Sequence, residues 1–265
     1  MAIMNKSENV RQQYTDDKNL SIRMKLHAKH STNKQGFVPW LFMQYRFSDG
    51  GSILELGCGN GGQWEGRIEQ LPDNCRLTLS DYSKGMVSMV EEKFSNKFRN
   101  VDFKQIDIQD IPFADESFDV VIANHMLYHV PDLNKALLEV RRVLKTGGCF
   151  YIATNGNGGF LPFLHNALKR FDAETTAFTQ GFSFNLGNGK AILAPYFSSV
   201  ERVDYEDSLS ITETQDLMDW IKSTVSISGY LEEKFEGLYE YFEAIRVRDG
   251  AINIPKEVGL FICQK

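Results

Sequence analysis

The chain lacks the marks of a secreted, a membrane-spanning or a nucleic-acid-gripping protein. Its cysteines (Cys58, Cys75, Cys149 and Cys263) stand far apart, and none forms a Cys-x-x-Cys pair. That spacing argues against both a disulfide framework and a structural zinc site. No apolar run approaches the roughly 18 residues of a membrane span. The first residues, MAIMNKSENVRQQ, have no apolar stretch of the signal-peptide kind. A basic excess is also missing: 29 Lys and Arg stand against 35 Asp and Glu, for a net charge of −6. That balance disfavours a protein whose main task is to hold nucleic acid. These absences predict a reduced, cytoplasmic protein with neither nucleic acid nor a membrane as partner.

What is present is the composition of a folded globular chain, long enough at 265 residues to bury the core of a large α/β domain. The charge is uneven. Residues 1–48 carry eight Lys or Arg against three Asp or Glu, a local +5 that leaves −11 on the rest. This segment is expected to form an N-terminal helical cover, with residues 49–265 as the main domain.

From Ser52 to Thr154, short apolar strands alternate with helical patterns, the signature of βαβ units and a parallel sheet. The strands are expected at Ser52–Leu56, Arg76–Ser80, Val101–Ile106, Phe118–Ala123 and Cys149–Thr154. Leu133 to Leu144 reads as a helix, with Asp132 as its N-cap and Gly147-Gly148 as its stop. A second helix is expected from Lys84, with Met86, Val87, Val90 and Phe94 facing inward. Residues 155–190 read as an irregular insertion. Val200 to Ile211 reads as one strand and Val258–Cys263 as the last. Between them, residues 212–250 read as a helical lid, Glu213 to Ile221 followed by Leu231 to Ile245.

The sharpest feature is Ile53-Leu54-Glu55-Leu56-Gly57-Cys58-Gly59-Asn60-Gly61-Gly62. A strand runs into a glycine turn, with a helix expected next. Glycines permit the turn's backbone angles and let a ligand approach the main chain. Gly57-x-Gly59-x-x-Gly62 alone also fits a dinucleotide fingerprint. Three carboxylates discriminate. Glu55 lies where a dinucleotide site has an apolar residue. Asp81 ends the second strand, where a ribose diol can donate to it. Asp107-Ile108 comes after the third strand, where a carboxylate can accept from an adenine amino group and the next N–H can donate to the ring. Nicotinamide sites have no standard need for that last pair.

Four segments in this order resemble the class I S-adenosylmethionine-dependent methyltransferases, near the ubiquinone/menaquinone-biosynthesis type. They are ILELGCGNGG (Ile53–Gly62), LSDYSKGMV (Leu79–Val87), QIDIQDIPFADESFDVVIANHMLYHV (Gln105–Val130) and LLEVRRVLKTGGCFYIAT (Leu137–Thr154). The resemblance covers about Ser52 to Thr154. It implies a doubly wound α/β fold, Rossmann-like, with a mostly parallel seven-stranded sheet whose last strand is antiparallel and inserted. It implies S-adenosyl-L-methionine as cofactor and S-adenosyl-L-homocysteine as product. By position, Gly57 and Gly59 would pass the methionine part and Asp81 would hold the ribose. Tyr82 and Met86 would flank the adenine, Asp107 and Ile108 would read its edge, and Asn124 would lie beneath the cofactor. Glu55 would orient the loop or, through water, the methionine amine.

In-line methyl transfer needs a base only when the acceptor carries a proton. All five histidines lie in segments able to reach such a site, and histidine titrates near neutrality. His125 is the first candidate and His30 the second. His27, His129 and His165 come next, with Tyr128 and Tyr14 as orienting groups. His125 and His129 have metal-like i, i+4 spacing, but the glutamate of a zincin helix is missing, so no metal is expected. Neither an Asn/Asp-Pro-Pro-aromatic segment nor a Pro-Cys nucleophile occurs, which favours a small-molecule substrate. Phe37, Trp40, Phe42 and Tyr45 of the cover, with Trp220, Tyr230 and Phe235 of the lid, are expected to roof the pocket. Lys25, Lys29 and Lys34 would suit an anionic substrate. The other readings are a nicotinamide-dependent oxidoreductase and a non-catalytic S-adenosylmethionine-binding protein.

Overall fold

The structure, a computed structural model, describes residues 18–179, 181–224 and 232–265. Tyr14, Tyr230 and Leu231 lie outside the described residues.

The main sheet has seven strands. They are β1 (Ser52–Leu56), β2 (Arg76–Asp81), β3 (Val101–Gln105), β4 (Phe118–Ile122), β5 (Leu144–Asn155), β6 (Ser199–Tyr205) and β9 (Val258–Gln264), in the order β3-β2-β1-β4-β5-β9-β6. The first five run parallel, and β9 lies antiparallel between β5 and β6. This is the expected doubly wound α/β sheet with its inserted last strand.

Local sequence explains most elements. α3 (Lys84–Phe94) is capped by Ser83, whose side chain accepts from the Met86 N–H. It buries Met86, Val87, Val90 and Phe94, as expected. α4 (Leu133–Val143) is capped by Asp132, which accepts from Lys135 N, and buries Ala136, Leu137, Val140 and Val143. Its end departs from expectation. The chain enters β5 directly at Leu144, which pairs with Phe118, so Gly147 and Gly148 lie inside the strand.

Three further expectations change. The glycine loop opens into two short 3-10 turns, Gly62–Trp64 and Ile68–Gln70, instead of an α-helix. The sheet face beside them is covered by the N-terminal segment, which forms α1 (Lys18–His30) and α2 (Phe37–Gln44). The stretch from Val200 to Ile211 divides into two strands, broken at Glu206-Asp207. β6 stays in the main sheet, while β7 (Ser208–Ile211) pairs with β8 (Ile252–Pro255) in a separate ribbon. The insertion after β5 is also partly regular, with α5 (Phe160–Leu168) and a short α6 (Gly189–Leu193).

The lid is inserted between the two ribbon strands as α7 (Thr214–Lys222) and α8 (Glu232–Asp249). Its apolar underside buries Leu217, Met218, Ile221, Leu238 and Phe242 against Leu26 of α1 and Leu164 of α5. Cover and lid therefore share one core. The two faces of the sheet hold two more. Leu54 and Leu56 point to α4, while Ile53 points to Trp64 and to Trp40, Leu41 and Tyr45 of the cover.

Candidate functional site

The parallel order β3-β2-β1-β4 brings the C-terminal ends of four strands to one edge of the sheet. Asp107, Asp81, Glu55 and Asn124 stand along it in that sequence. Open α/β sheets bind ligands at this carboxyl edge.

Between β1 and the first 3-10 turn, Gly57, Gly59 and Gly61 all have positive φ, at 78°, 54° and 70°. Two of these positions exclude a side chain for packing reasons as well. A Cβ on Gly57 would come within 3.0 Å of Met126, and one on Gly61 within 2.6 Å of Phe94. The loop is also tied to β2. The N–H groups of Gly57 and Cys58 both donate to Ser80 O at 2.8 Å.

Asp81 has one oxygen on Gly59 N (3.0 Å) and the other on Ser83 N (2.8 Å). Each carboxylate oxygen keeps a further lone pair. Burial pushes the Asp81 carboxyl above its usual range, and the Ser83 and Gly59 donors work against that shift. Tyr82 beside it is half-buried, but Met86 is 1% exposed on the inner side of α3. Of the two residues expected to flank a base, only Tyr82 presents surface. Asp107 shapes its own turn, accepting from the Gln109 backbone at 2.9 Å and from the Gln109 amide at 3.1 Å. Ile108 is buried.

Glu55 is 2% exposed and faces inward with Ile53. It accepts from Gln63 Nε2 and Trp64 Nε1, both at 2.5 Å. Burial pushes its pKa up to about 8, against the Trp64 bond, and Asp81 adds to the rise. Glu55 thus ties the turn beyond the glycine loop to β1. Gln63 extends this wiring, since its Oε1 accepts from Asn124 Nδ2 at 2.9 Å. Asn124 also donates to Tyr45 Oη (2.7 Å) and accepts from Ala153 N (3.0 Å). Sequence reading missed Gln63 and Tyr45 as members of this network. A glutamine after a glycine loop gives no signal of its own.

His125 comes next at φ 53°, a left-handed conformation pinned by its N–H on Ala153 O at 2.8 Å. Its ring lies 5.4 Å from that of Phe37. Burial, then the Lys256 charge, lowers its pKa to about 4, so the imidazole is neutral at pH 7. His27 on α1 is similar, lowered to about 3 by burial, then Lys256 and His125. Lys256 was not singled out from the sequence. It pairs with Asp207, whose side chain is fully buried.

His30, the second candidate base, belongs elsewhere. Its side chain is 2% exposed and its Nε2 lies 2.8 Å from Asp216 on the lid. Lys29 joins the same carboxylate at 2.7 Å. The two side chains join the cover to the lid through Asp216. His165 bonds to Ala177 O at 2.9 Å through Nδ1, and the His129 ring packs on Tyr128 at 4.6 Å.

The expected roof also changes. Trp40 and Tyr45 are buried against the sheet, and Phe42 packs on Trp64 at 5.3 Å. Phe37 of that set packs beside the His125 ring. Lys25 and Lys34 are exposed, and Lys29 is paired to Asp216 and Glu213. Among the described residues, no group of three or more His, Cys, Asp and Glu is placed to hold a metal ion. Among them, too, no helix is long and apolar enough to cross a membrane.

Comparison with known proteins agrees with this geometry. Residues 54–152 match the family described as a methyltransferase domain. Over 100 residues the chain is 34% identical to the demethylmenaquinone methyltransferase of Alkalihalophilus pseudofirmus, a match covering 37% of this chain and 42% of that protein. The match thus spans less than half the length of the curated relative. Among solved structures, the phosphoethanolamine N-methyltransferase 2 of Haemonchus contortus, in complex with S-adenosyl-L-methionine, superimposes with a TM-score of 0.61 at 17% identity. That superposition covers all of this chain and 60% of the other. The [4+2]-cyclase SpnF superimposes with a TM-score of 0.62 at 16% identity, covering 100% of this chain and 98% of that one. These two likenesses show the fold. Residues 54–152 thus match a methyltransferase domain, and the sheet shares the fold of methyltransferases whose cofactor is S-adenosylmethionine.

The residues present fit that cofactor. A nucleoside with an amino acid tail offers amino, diol and ammonium donors in a line. The edge offers the carboxylates of Asp107 and Asp81 as acceptors, beside a loop whose glycines leave the main chain open to approach.

Proposed function

We propose that this chain transfers a methyl group from S-adenosylmethionine to a small molecule held between the sheet edge, the cover and the lid. The observation that carries the proposal is the Asp107–Asp81–Glu55–Asn124 row beside the glycine loop. When bound, the cofactor supplies an electrophilic methyl group on sulfonium sulfur.

The chain's own residues supply position. Asp81, steadied by Gly59 and Ser83, offers its remaining lone pairs to a ribose diol. Asp107 and the Ile108 backbone meet the adenine edge, and Tyr82 flanks the ring. Glu55, through Gln63 and Trp64, fixes the loop without meeting the ligand directly. Asn124 sets the floor at the end of β4. Such alignment can contribute several kcal/mol to a displacement reaction.

His125 stands after Asn124, where an acceptor would face the methyl group. A neutral imidazole can take a proton from a hydroxyl, amine or carbon acid as the new bond forms. Its low pKa keeps that lone pair open throughout the neutral range. The acidic balance and the closely packed cover and lid favour a small molecule over a nucleic acid.

The test supplies methyl-labelled S-adenosylmethionine with a cell extract split into small-molecule, RNA and protein fractions. Label in the small-molecule fraction, lost in Asp81→Ala, supports the proposal. Label in RNA or protein, or none despite S-adenosylhomocysteine binding, contradicts it.

A further inference from the structure

Among the described residues, two buried polar side-chain atoms, His27 Nδ1 and Trp220 Nε1, have no hydrogen-bond partner. Buried polar groups are satisfied almost everywhere in proteins, so each exception needs a reason. These two come from different covers, His27 from α1 and Trp220 from α7, yet both pack edge-on against one ring. Phe160, the first residue of α5, lies 5.9 Å from the His27 ring and 4.5 Å from the Trp220 ring. Trp220 is 7% exposed. Cover, lid and insertion thus meet at an aromatic cluster with two unanswered polar atoms.

The donors set the chemistry of a ligand for this cluster. An indole N–H only donates, so its partner must be an acceptor. A neutral imidazole nitrogen accepts or donates according to tautomer. The charge nearby is an ion pair, Lys256 with Asp207, and both members act on His27 with opposite sign. Lys256 acts on both His27 and His125, and its partner Asp207 also accepts from Ser31 Oγ on the same oxygen and from Asn33 N on the other. An ammonium group has no lone pair for Trp220 Nε1–H.

We propose that His27, Phe160 and Trp220 form the acceptor subsite, which takes a planar organic molecule bearing a hydroxyl, carbonyl or carboxylate oxygen and rejects amines. The oxygen accepts from Trp220 Nε1–H, and the ring of the ligand packs on Phe160. The word acceptor rests on the methyl-transfer proposal. The binding chemistry rests on the cluster alone.

The experiment tracks the Trp220 indole N–H signal in 15N–1H spectra of the full chain, assigned with Trp220→Phe. The probes are 4-methylphenol, 4-methylbenzoate and 4-methylbenzylamine. The expected result is a saturable shift with the phenol or the benzoate and none with the amine. His27→Phe should weaken the oxygen probes at least tenfold. An indole signal unmoved by both oxygen probes, an equal response to the amine, or unchanged affinity in His27→Phe overturns the subsite. Calorimetry with S-adenosylhomocysteine on the same sample separates the two proposals. If it binds and the oxygen probes fail, the subsite is wrong and the methyl-transfer proposal is untouched. If the probes bind as expected and it does not, the reverse holds.

Discussion

Glu55 Oε2 accepts a hydrogen bond from Trp64 Nε1 at 2.5 Å, so the carboxylate at the end of β1 anchors the turn beyond the glycine loop. Replacing Trp64 by Phe keeps an aromatic body but leaves a buried acceptor with one fewer donor. The expected loss is about 1–3 kcal/mol of unfolding free energy, read by denaturant titration. An unchanged midpoint would show that the bond does not hold the turn.

The same carboxyl makes a pH prediction. Its pKa is raised to about 8, so the folded chain holds a proton that the unfolded chain releases above about 4.5. The stability it confers is full below about 4.5 and is lost as pH rises through about 8. The limiting slope is about 1.4 kcal/mol per pH unit for one proton. His125 and His27, lowered to about 4 and about 3, act oppositely. The unfolded chain binds their protons first, so stability falls as pH drops from 6.5 towards 4. Glu55→Gln should flatten the alkaline decline and leave the acid side unchanged. A stability–pH curve identical to that of the unmodified chain would refute the assignment.

The loop's glycines can be separated by geometry. Gly61 and Gly66 both have positive φ, at 70° and 64°. A Cβ on Gly61 meets Phe94 at 2.6 Å, whereas one on Gly66 meets nothing within 4 Å. Gly66→Ala should lose only the backbone term, about 1–2 kcal/mol. Gly61→Ala should lose about 1–3 kcal/mol more through overpacking. Equal melting temperatures for the two variants would count against the close approach of loop and α3.

Much of this was legible in the sequence because two periodicities carried it. The five parallel strands and the inward face of α3 show up as apolar runs and a 3.6-residue stripe. The carboxylates at strand ends were visible for the same reason, since an apolar run marks where its strand stops. The misreadings share one cause, tertiary competition. Trp64 is drawn into the core by Glu55, and the cover packs beside the 3-10 turns where a helix was expected. The tie from His30 to Asp216, 186 residues away, was likewise not legible in the sequence. Lys256 and Trp220 became neighbours of His27 only when ribbon, lid and cover folded together.

That junction gives its own prediction. Burial works against the Asp216 charge, but the bonds from Lys29 and His30 hold its carboxyl below the usual carboxylate range. Asp216→Asn should loosen cover from lid, with faster proteolysis in the segment between α1 and α2 and a loss of about 1–3 kcal/mol. Its affinity for S-adenosylhomocysteine should change less than threefold. A large loss of affinity with unchanged protease resistance would move this pair from the cover to the binding site.

The most direct measurement is calorimetric titration of the full chain with S-adenosylhomocysteine, repeated with Asp81→Ala and with NADH. Removing a carboxylate that accepts from a diol while also steadying Gly59 and Ser83 should weaken binding by about 10- to 100-fold or more, at about 1.5–3 kcal/mol per charge-assisted bond. The account predicts saturable one-to-one binding of S-adenosylhomocysteine, its near loss in Asp81→Ala, and no binding of NADH. Tight NADH binding without S-adenosylhomocysteine binding, or equal affinity in Asp81→Ala, would contradict it.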